Sequence, residues 1–193
     1  MILFFGPPGS GKSVQGKLLV ERNGWKWLST GELFRGSKDP AVMARLASGE
    51  LISDEMTNDV LDAALGSIGN GVEHIVLDGY PRNTYQAEWL NEHLPNHGRE
   101  IAAVFQFEVP HDELVNRLAG RGRDEDDPQI VERRLEIYRE QTKPVLEFYE
   151  KQGTKVVWID GLGDIEAVHA RIQALAEEHG LTSSSSSSTS AQA

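Results

Sequence analysis

The sequence contains no cysteine. Disulfide bonds and thiolate metal ligands are therefore excluded, and a reducing compartment suits such a chain. The first residues run from Met1 directly into an apolar stretch and a glycine-rich loop, without the pattern of a signal peptide. We therefore expect a cytoplasmic protein, and we expect no zinc site built from cysteine.

Basic residues are also scarce. The chain has 19 lysines and arginines against 30 aspartates and glutamates, and its formal net charge is −11. A nucleic-acid partner is not expected, because an excess of cationic side chains is what neutralises nucleic-acid phosphates. A single nucleotide can still be held by a local cluster of arginines. No apolar run approaches the roughly 18 residues of a membrane-spanning helix, so no membrane partner is expected either.

Short apolar runs recur along the chain and are typical of buried parallel strands. They are Ile2–Phe5, Trp25–Leu28, Ile75–Leu77, Ile101–Phe107 and Val156–Ile159. Other segments carry apolar residues three and four positions apart, as helices do. They include Leu114/Leu118, Val131/Leu135/Tyr138/Val145/Tyr149 and Ile165/Val168/Ile172/Leu175. This alternation predicts an α/β fold with a five-stranded parallel sheet flanked by helices.

Several helix boundaries are marked by their residue types. Asp127 is a good N-cap, and Pro128 follows at the first helical position, where its missing N–H costs nothing. Pro144 lies further along the same pattern and predicts a kink in that helix. Asp164 is expected to cap the last helix. Residues 182–193 are mostly serine and cannot bury apolar surface, so we predict a disordered tail.

The segment Gly6–Ser13 matches the phosphate-binding pattern GxxxxGK[ST], after a strand and before a helix. Its glycines allow backbone N–H groups to converge on phosphate oxygens, and the helix N-terminus favours an anion. Lys12 is expected to pair with the β- and γ-phosphates of ATP, and the hydroxyl of Ser13 to reach Mg²⁺. The residues expected to bind ATP here are Gly9, Ser10, Gly11, Lys12, Ser13 and Val14.

Asp78 directly follows the apolar run Ile75–Leu77. A carboxylate at this point is expected to organise Mg²⁺ through water. The alternative is an ordinary residue at the end of a strand. A phosphate loop alone indicates only that a nucleoside triphosphate binds, so other segments must identify the acceptor.

Three further segments supply that information: Ser29-Thr-Gly-Glu-Leu-Phe-Arg35, Gly49-Glu-Leu-Ile-Ser-Asp54 and Asp78-Gly-Tyr-Pro-Arg82 with Gln86 beyond it. With the phosphate loop and the later arginines, they make the chain resemble the adenylate kinase family of nucleoside monophosphate kinases, from Ile2 to about Gly180. The resemblance implies a P-loop NTPase fold and one domain over residues 1–181. It also implies an AMP-binding insert at about 30–59 and a very short lid at about 121–126.

The resemblance also implies roles at the acceptor site. Arg35 and Arg82 match arginines that clamp the AMP phosphate, a task suited to a planar fork of donors. Gln86 matches a glutamine whose amide reads adenine, whereas relatives that prefer UMP or CMP commonly carry asparagine there. The other positions implied around the AMP base are Thr30, Leu51, Ile52 and Gly79.

Four arginines match those of the family's lid and its flanks: Arg117, Arg121, Arg123 and Arg134. The resemblance places Arg117 and the backbone at Gly161 and Leu162 beside the ATP adenine, and the other three arginines around the transferring phosphoryl group. Arg123 and Arg134 are also implied at the AMP side.

Helical phase separates Arg134 from its neighbour. With about 100° per residue, Arg134 falls near −60° from the centre of the apolar stripe, at its edge, whereas Arg133 falls near 200° and should face water.

Glu125 and Asp126 match an acidic pair that orients the arginines. A solvated acidic loop is the alternative.

The resemblance implies reversible transfer of the γ-phosphoryl group of Mg·ATP to AMP, giving two ADP. Lys12, Arg82, Arg121, Arg123 and Arg134 would offset charge, with no general base and no covalent nucleophile. ATP, AMP and ADP are the expected partners of a monomer. Closure of the lid and of the insert would exclude water.

Two features depart from the family pattern. The lysine of the family loop is followed by Gly-Thr, whereas Ser13 and Val14 stand here, so the hydroxyl is one position nearer to Lys12. In the lid, only Gly122 separates Arg121 from Arg123.

Three alternative functions remain open from the sequence. A UMP/CMP kinase on the same scaffold is disfavoured by Gln86. A P-loop ATPase would not need the acceptor-side arrangement of Arg35, Gly79, Arg82 and Gln86. A non-catalytic nucleotide-binding module would not need Lys12 and the lid arginines.

Overall fold

The structure is a computed structural model that describes residues 1–69, 72 and 74–181. The predicted disordered tail, residues 182–193, lies outside this part of the chain. The strands are β1 (Ile2–Phe5), β2 (Lys26–Ser29), β3 (Ile75–Asp78), β4 (Ala103–Glu108) and β5 (Val156–Asp160). The α-helices are α1 (Lys12–Asn23), α2 (Thr30–Arg35), α3 (Pro40–Ala47), α4 (Asp54–Ile68), α5 (Thr84–His93), α6 (His111–Ala119), α7 (Pro128–Ile137), α8 (Pro144–Lys151) and α9 (Ile165–Glu178). Short 3₁₀ turns lie at Leu94–His97 and Asp124–Asp126.

The five strands form one parallel sheet in the order β2-β3-β1-β4-β5. The predicted α/β fold is therefore confirmed. Two strands begin later than the apolar runs suggest, β2 at Lys26 and β4 at Ala103. The hydrogen-bond ladder, rather than hydrophobicity, sets these ends, and Trp25 is buried although it precedes β2.

Alternate residues of the strands pack on opposite faces of the sheet, as the two-residue period of a strand requires. Leu3 and Phe5 of β1 join a core cluster that contains residues of α4, α5 and α8. Ile2 and Phe4 join a second cluster with residues of α1 and α9. Helices thus cover both faces of the sheet, which explains why the strands are apolar throughout. Among the described residues, no helix is long and apolar enough to cross a membrane.

The carboxyl ends of the strands meet at one edge of the sheet. In register, Phe4 lies beside Asp78, and Asp78 lies beside Ser29. The phosphate loop follows β1, which lies between β3 and β4, where chain connections leave in opposite directions. Ligands of open parallel sheets bind at such a switch point.

The predicted single helix around Pro144 is wrong in one respect. A π-helical turn, Tyr138–Thr142, follows α7, and Pro144 then occupies the first turn of a new helix, α8. The widened turn is closed by a bond from the N–H of Lys143 to the carbonyl of Tyr138, at 2.8 Å. Because proline lacks an N–H and clashes with the preceding turn, the chain reaches it through this turn rather than a continuous α-helix.

Candidate active site

A cavity of about 1000 Å³ opens at the carboxyl edge of the sheet. Its volume is at the upper end of the usual range for a small-molecule site, roughly 300–1000 Å³. Among the residues that the structure describes, seven basic side chains line it, against four acidic ones. The basic residues are Lys12, Arg35, Arg82, Arg117, Arg121, Arg123 and Arg134, and the acidic residues are Asp78, Glu113, Asp164 and Glu166. A chain that is acidic overall therefore carries a locally cationic cavity.

The phosphate loop presents the N-terminus of α1 to this cavity. Gly11 precedes the helix with φ of 93°, a left-handed conformation that favours glycine. Within the described part of the chain, no side chain caps this end of the helix. Its first N–H groups and the positive end of the helix dipole can therefore be offered to an anion.

Lys12 is held inside its own loop. Its Nζ donates to the carbonyls of Gly6 at 2.7 Å and Pro7 at 2.9 Å, and to Oγ of Ser10 at 3.2 Å. The pKa of Lys12 is lowered to about 8, chiefly by burial; the carboxylate of Asp78 opposes this shift, and the positive charges of the nearby arginines add to it. A bound polyphosphate would reverse this effect, because anionic oxygens favour the charged ammonium.

Ser13 and Asp78 lie together beside the loop. Oγ of Ser13 donates to Oδ2 of Asp78 at 3.0 Å, and Asp78 is buried at the end of β3. Among the described residues, no group of three or more histidine, cysteine, aspartate or glutamate side chains is arranged to hold a metal. The Ser13 hydroxyl and the Asp78 carboxylate fit Mg²⁺, which usually takes one or two protein oxygens and receives its remaining ligands from phosphates and water.

The acceptor-side residues surround Gly79. Its φ is 82°, and a Cβ there would come within 2.8 Å of Oγ1 of Thr30, so a side chain would be strained and crowded. Nε of Arg82 donates to the Gly79 carbonyl at 2.7 Å, which leaves the outer nitrogens of the guanidinium available. Burial lowers the pKa of Arg82, with Asp78 opposing, and the same effect of burial lowers the pKa of Arg35. Both guanidinium groups line the cavity.

Glu125 and Asp126 organise the lid arginines, and the alternative of a solvated acidic loop is wrong. Their side chains are only 14% and 4% exposed. Asp126 accepts two hydrogen bonds from the Arg121 guanidinium and one from the Arg123 N–H. Burial opposes ionisation of Asp126, but these bonds outweigh it and lower the pKa of the carboxyl group. Glu125 lies 3.6 Å from Arg123 and 3.7 Å from Arg35, so one carboxylate bridges the two.

Arg134 and Arg133 have different surroundings. The Arg134 side chain is 19% exposed and lines the cavity, with Nη1 donating to the Glu125 carbonyl at 3.3 Å. Burial lowers the pKa of Arg134 to about 10, and the charges of Arg82 and Arg121 act in the same direction. Arg133 is 52% exposed and pairs with Glu50 at 2.9 Å, outside the cavity. These placements follow the predicted helical phase.

Arg117 joins the cavity to the loop after β5. Its Nε donates to Glu113 at 2.7 Å, and its Nη2 donates to the Gly161 carbonyl at 3.0 Å. The guanidinium plane is thus fixed by a carboxylate and a carbonyl. This wall is rigid and planar, which suits contact with a nucleobase.

Four of the predicted site residues do not line the cavity: Thr30, Ile52, Gln86 and Leu162. Thr30 is buried and donates to the Gly79 carbonyl at 2.9 Å, while Ser29 rather than Thr30 caps α2. Ile52 packs with Phe34 and Val42 in a small core. Leu162 is about half exposed.

Gln86 is only 2% exposed. Its amide bonds to the Arg82 N–H and to Asp54, both at 2.7 Å. Because a carboxamide has two N–H groups and two lone pairs, one of each remains for a further partner.

The remaining predicted residues do line the cavity. They are Gly9, Ser10, Gly11, Lys12, Ser13, Val14, Arg35, Leu51, Asp78, Gly79, Arg82, Arg117, Arg121, Arg123, Arg134 and Gly161.

Two residues that hold site residues in place were not predicted from the sequence. Thr142, in the π-helical turn, donates to the Arg82 carbonyl at 2.9 Å and lines the cavity. A hydroxyl two residues before Pro144 was its only signal. Asp54 accepts from Gln86 and stands in the first turn of α4, where an acidic residue is explained by the helix dipole alone.

Comparison with known proteins identifies relatives over most of the chain. Residues 4–154 match the family model described as adenylate kinase. An adenylate kinase of Mycobacterium ulcerans (strain Agy99) is 40% identical over 181 residues, covering 90% of this chain and 98% of that protein. One from Xanthomonas campestris pv. campestris (strain B100) is 41% identical, covering 89% of this chain and 96% of that protein. One from Mycobacterium tuberculosis (strain ATCC 25618 / H37Rv) is 38% identical, covering 88% and 95%. The chain therefore belongs to the adenylate kinase family, and it is a nucleoside monophosphate kinase, a phosphotransferase.

Proposed function

We propose that this adenylate kinase holds ATP and AMP together in the one cavity and transfers the γ-phosphoryl group between them, giving two ADP. The observation that supports this most strongly is the convergence of Lys12, Arg82, Arg121 and Arg134 at the phosphate loop, where burial and mutual repulsion lower the pKa of Lys12 and of Arg134. Such a cluster is costly unless anions occupy it. Two nucleotides meeting phosphate to phosphate would supply those anions.

The donor is assigned to the side of the cavity formed by the phosphate loop. Its phosphates would meet the backbone of Gly9, Ser10 and Gly11 and the ammonium of Lys12. Its base would lie against Arg117 and the adjoining loop at Gly161 and Leu162. A hydrogen bond between these two walls supports the assignment, because Arg117 is already fixed on the Gly161 carbonyl.

The acceptor is assigned to the side around Gly79. Arg35 and Arg82 would clamp its phosphate, with Arg123 and Arg134 above them. Its base would lie near Thr30, Leu51 and Ile52, read by the free half of the Gln86 amide. Thr30, Ile52 and Gln86 are buried, so the AMP-binding insert at about 30–59 would have to shift around the base.

Catalysis then consists of positioning and charge stabilisation. The arginines of the lid are preorganised by Glu125 and Asp126, so little reorganisation is needed when the phosphoryl group moves. Closure of the lid at about 121–126 and of the insert would exclude water from the reacting phosphates. Mg²⁺ would neutralise phosphate charge beside Ser13 and Asp78 when it is bound with ATP.

The proposal is tested by product stoichiometry. With Mg·ATP and AMP, the purified protein is expected to form two ADP for each AMP consumed, with inorganic phosphate released far more slowly. Release of phosphate as fast as ADP forms would indicate an ATP hydrolase instead.

Ser13 gives a prediction about the metal. Because Val14 has no hydroxyl and Oγ of Ser13 lies 3.0 Å from Asp78, Ser13→Ala is expected to raise the Mg²⁺ concentration needed for half-maximal activity. The apparent affinity for AMP should be nearly unchanged, since Ser13 is on the donor side. The measurement is a Mg²⁺ titration at fixed ATP and AMP. An unaltered titration would show that the metal is held without this hydroxyl.

A further inference from the structure

One hydrogen-bond acceptor and one hydrogen-bond donor hold the side-chain amide of Gln86. Its Nε2 donates to Oδ1 of Asp54 at 2.7 Å, and its Oε1 accepts from the backbone N–H of Arg82 at 2.7 Å. The side chain is buried, so water cannot replace a lost partner easily. Turning the amide over would set oxygen against the Asp54 carboxylate and N–H against the Arg82 N–H. Both bonds would be lost, and buried unpaired polar groups are costly.

Asp54 is itself fixed. The same Oδ1 atom accepts from Nδ2 of Asn83 at 2.9 Å, and Oδ1 of Asn83 accepts from the backbone N–H of Gln86 at 2.9 Å. An ionised carboxylate can only accept hydrogen bonds. The carboxylate therefore determines the direction of these hydrogen bonds, in which the amides of Asn83 and Gln86 donate and Asp54 accepts.

We propose that Asp54 is a specificity-determining positioning residue, which orients the Gln86 amide so that a purine with an amino group at position 6 is accepted and one with a carbonyl there is rejected. This inference rests on the proposed reading of the acceptor base by Gln86. With Nε2 held toward Asp54, the free lone pair of Oε1 is what meets the group at position 6. An amino group donates to that oxygen, whereas the carbonyl of hypoxanthine or guanine sets oxygen against oxygen. A reversed amide would reverse the preference, so Asp54 acts by excluding the reversed state.

The test compares AMP with IMP, which differ only along this edge of the base. Asp54→Ala removes one of the two constraints on the amide, and the ratio of kcat/KM for AMP to that for IMP is expected to fall about tenfold. Asp54→Asn keeps an acceptor oxygen but also brings an N–H, so its ratio should lie between those of wild type and Asp54→Ala. Glu55→Ala is the matched control, because it removes an exposed carboxylate from the same first turn of α4 and should leave the ratio unchanged. The KM for ATP should be unchanged in all of them.

A purely structural role for Asp54 would lower the efficiencies with AMP and IMP in the same proportion, and that result would overturn the inference. If Asp54→Ala does not fold, Asp54→Asn decides alone, and an unchanged ratio overturns it. Gln86→Ala tests the proposed reading of the base separately from the role of Asp54. An unchanged ratio in Gln86→Ala would mean that the proposed reading of the base is wrong. A lowered ratio in Gln86→Ala with unchanged ratios in both Asp54 variants would mean that only the role of Asp54 is wrong.

Discussion

Arg134→Ala is expected to lower turnover by about 10³-fold or more, because an arginine at a transferring phosphoryl group commonly contributes that much. The guanidinium is largely buried, lines the cavity and is directed by the carbonyl of Glu125. Its loss would remove a positive charge from a desolvated site, where such a charge acts most strongly. The measurement is steady-state kinetics with saturating Mg·ATP and AMP.

Arg133→Ala is the matched control for this change. It removes the same type of side chain from the preceding position of α7, but Arg133 is half exposed and pairs with Glu50 away from the cavity. Its turnover should stay close to that of wild type. Similar losses in the two variants would mean that the loss of activity reflects α7 as a whole and not a charge at the reaction.

Lys12→Met is expected to lower turnover by about 10²–10³-fold, the usual loss when one preorganised donor to a developing charge is removed. Methionine keeps most of the aliphatic part of the lysine side chain and removes the ammonium group. The matched control is Lys17→Met on the same helix, because Lys17 is exposed and pairs with Glu32 at 2.7 Å. Equal effects of both changes would contradict the role given to Lys12.

The same lysine predicts a pH dependence of ATP binding. In the ligand-free protein the pKa of Lys12 is lowered to about 8, chiefly by burial, and bound phosphates would raise it again. Above pH 8 the free protein has lost the proton that the complex retains, so binding must take up a proton and ATP affinity should fall as pH rises. Titration calorimetry in buffers of different ionisation enthalpy measures this uptake. Lys12→Met should abolish it, and Lys17→Met should retain it.

The sequence predicted those parts of the site that local pattern determines. The phosphate loop, the strand end at Asp78 and the different faces of Arg133 and Arg134 depend on residue order and helical period alone. Each of these side chains or segments lies where the pattern placed it. The fold class followed for the same reason, since the alternation of strands and helices is a local property of the chain.

What the sequence did not predict depends on tertiary partners. From the sequence, Glu125 and Asp126 could equally belong to a solvated loop, whereas in the structure four arginines surround them. The burial of Gln86 between Asp54 and the Arg82 N–H joins segments about thirty residues apart, and no residue pattern indicates it. The π-helical form of the turn before Pro144 was likewise not predicted, because proline alone predicts only that the helix is disturbed.

The most direct test of the proposed function is an acceptor panel, in which Mg·ATP is supplied with AMP, dAMP, CMP, UMP or GMP and nucleoside diphosphate formation is followed for each. We expect AMP to be used with the highest kcat/KM and CMP and UMP to be poor acceptors, because the Gln86 amide is expected to pair with the adenine amino group and a ring nitrogen. Equal or better use of UMP or CMP would contradict it.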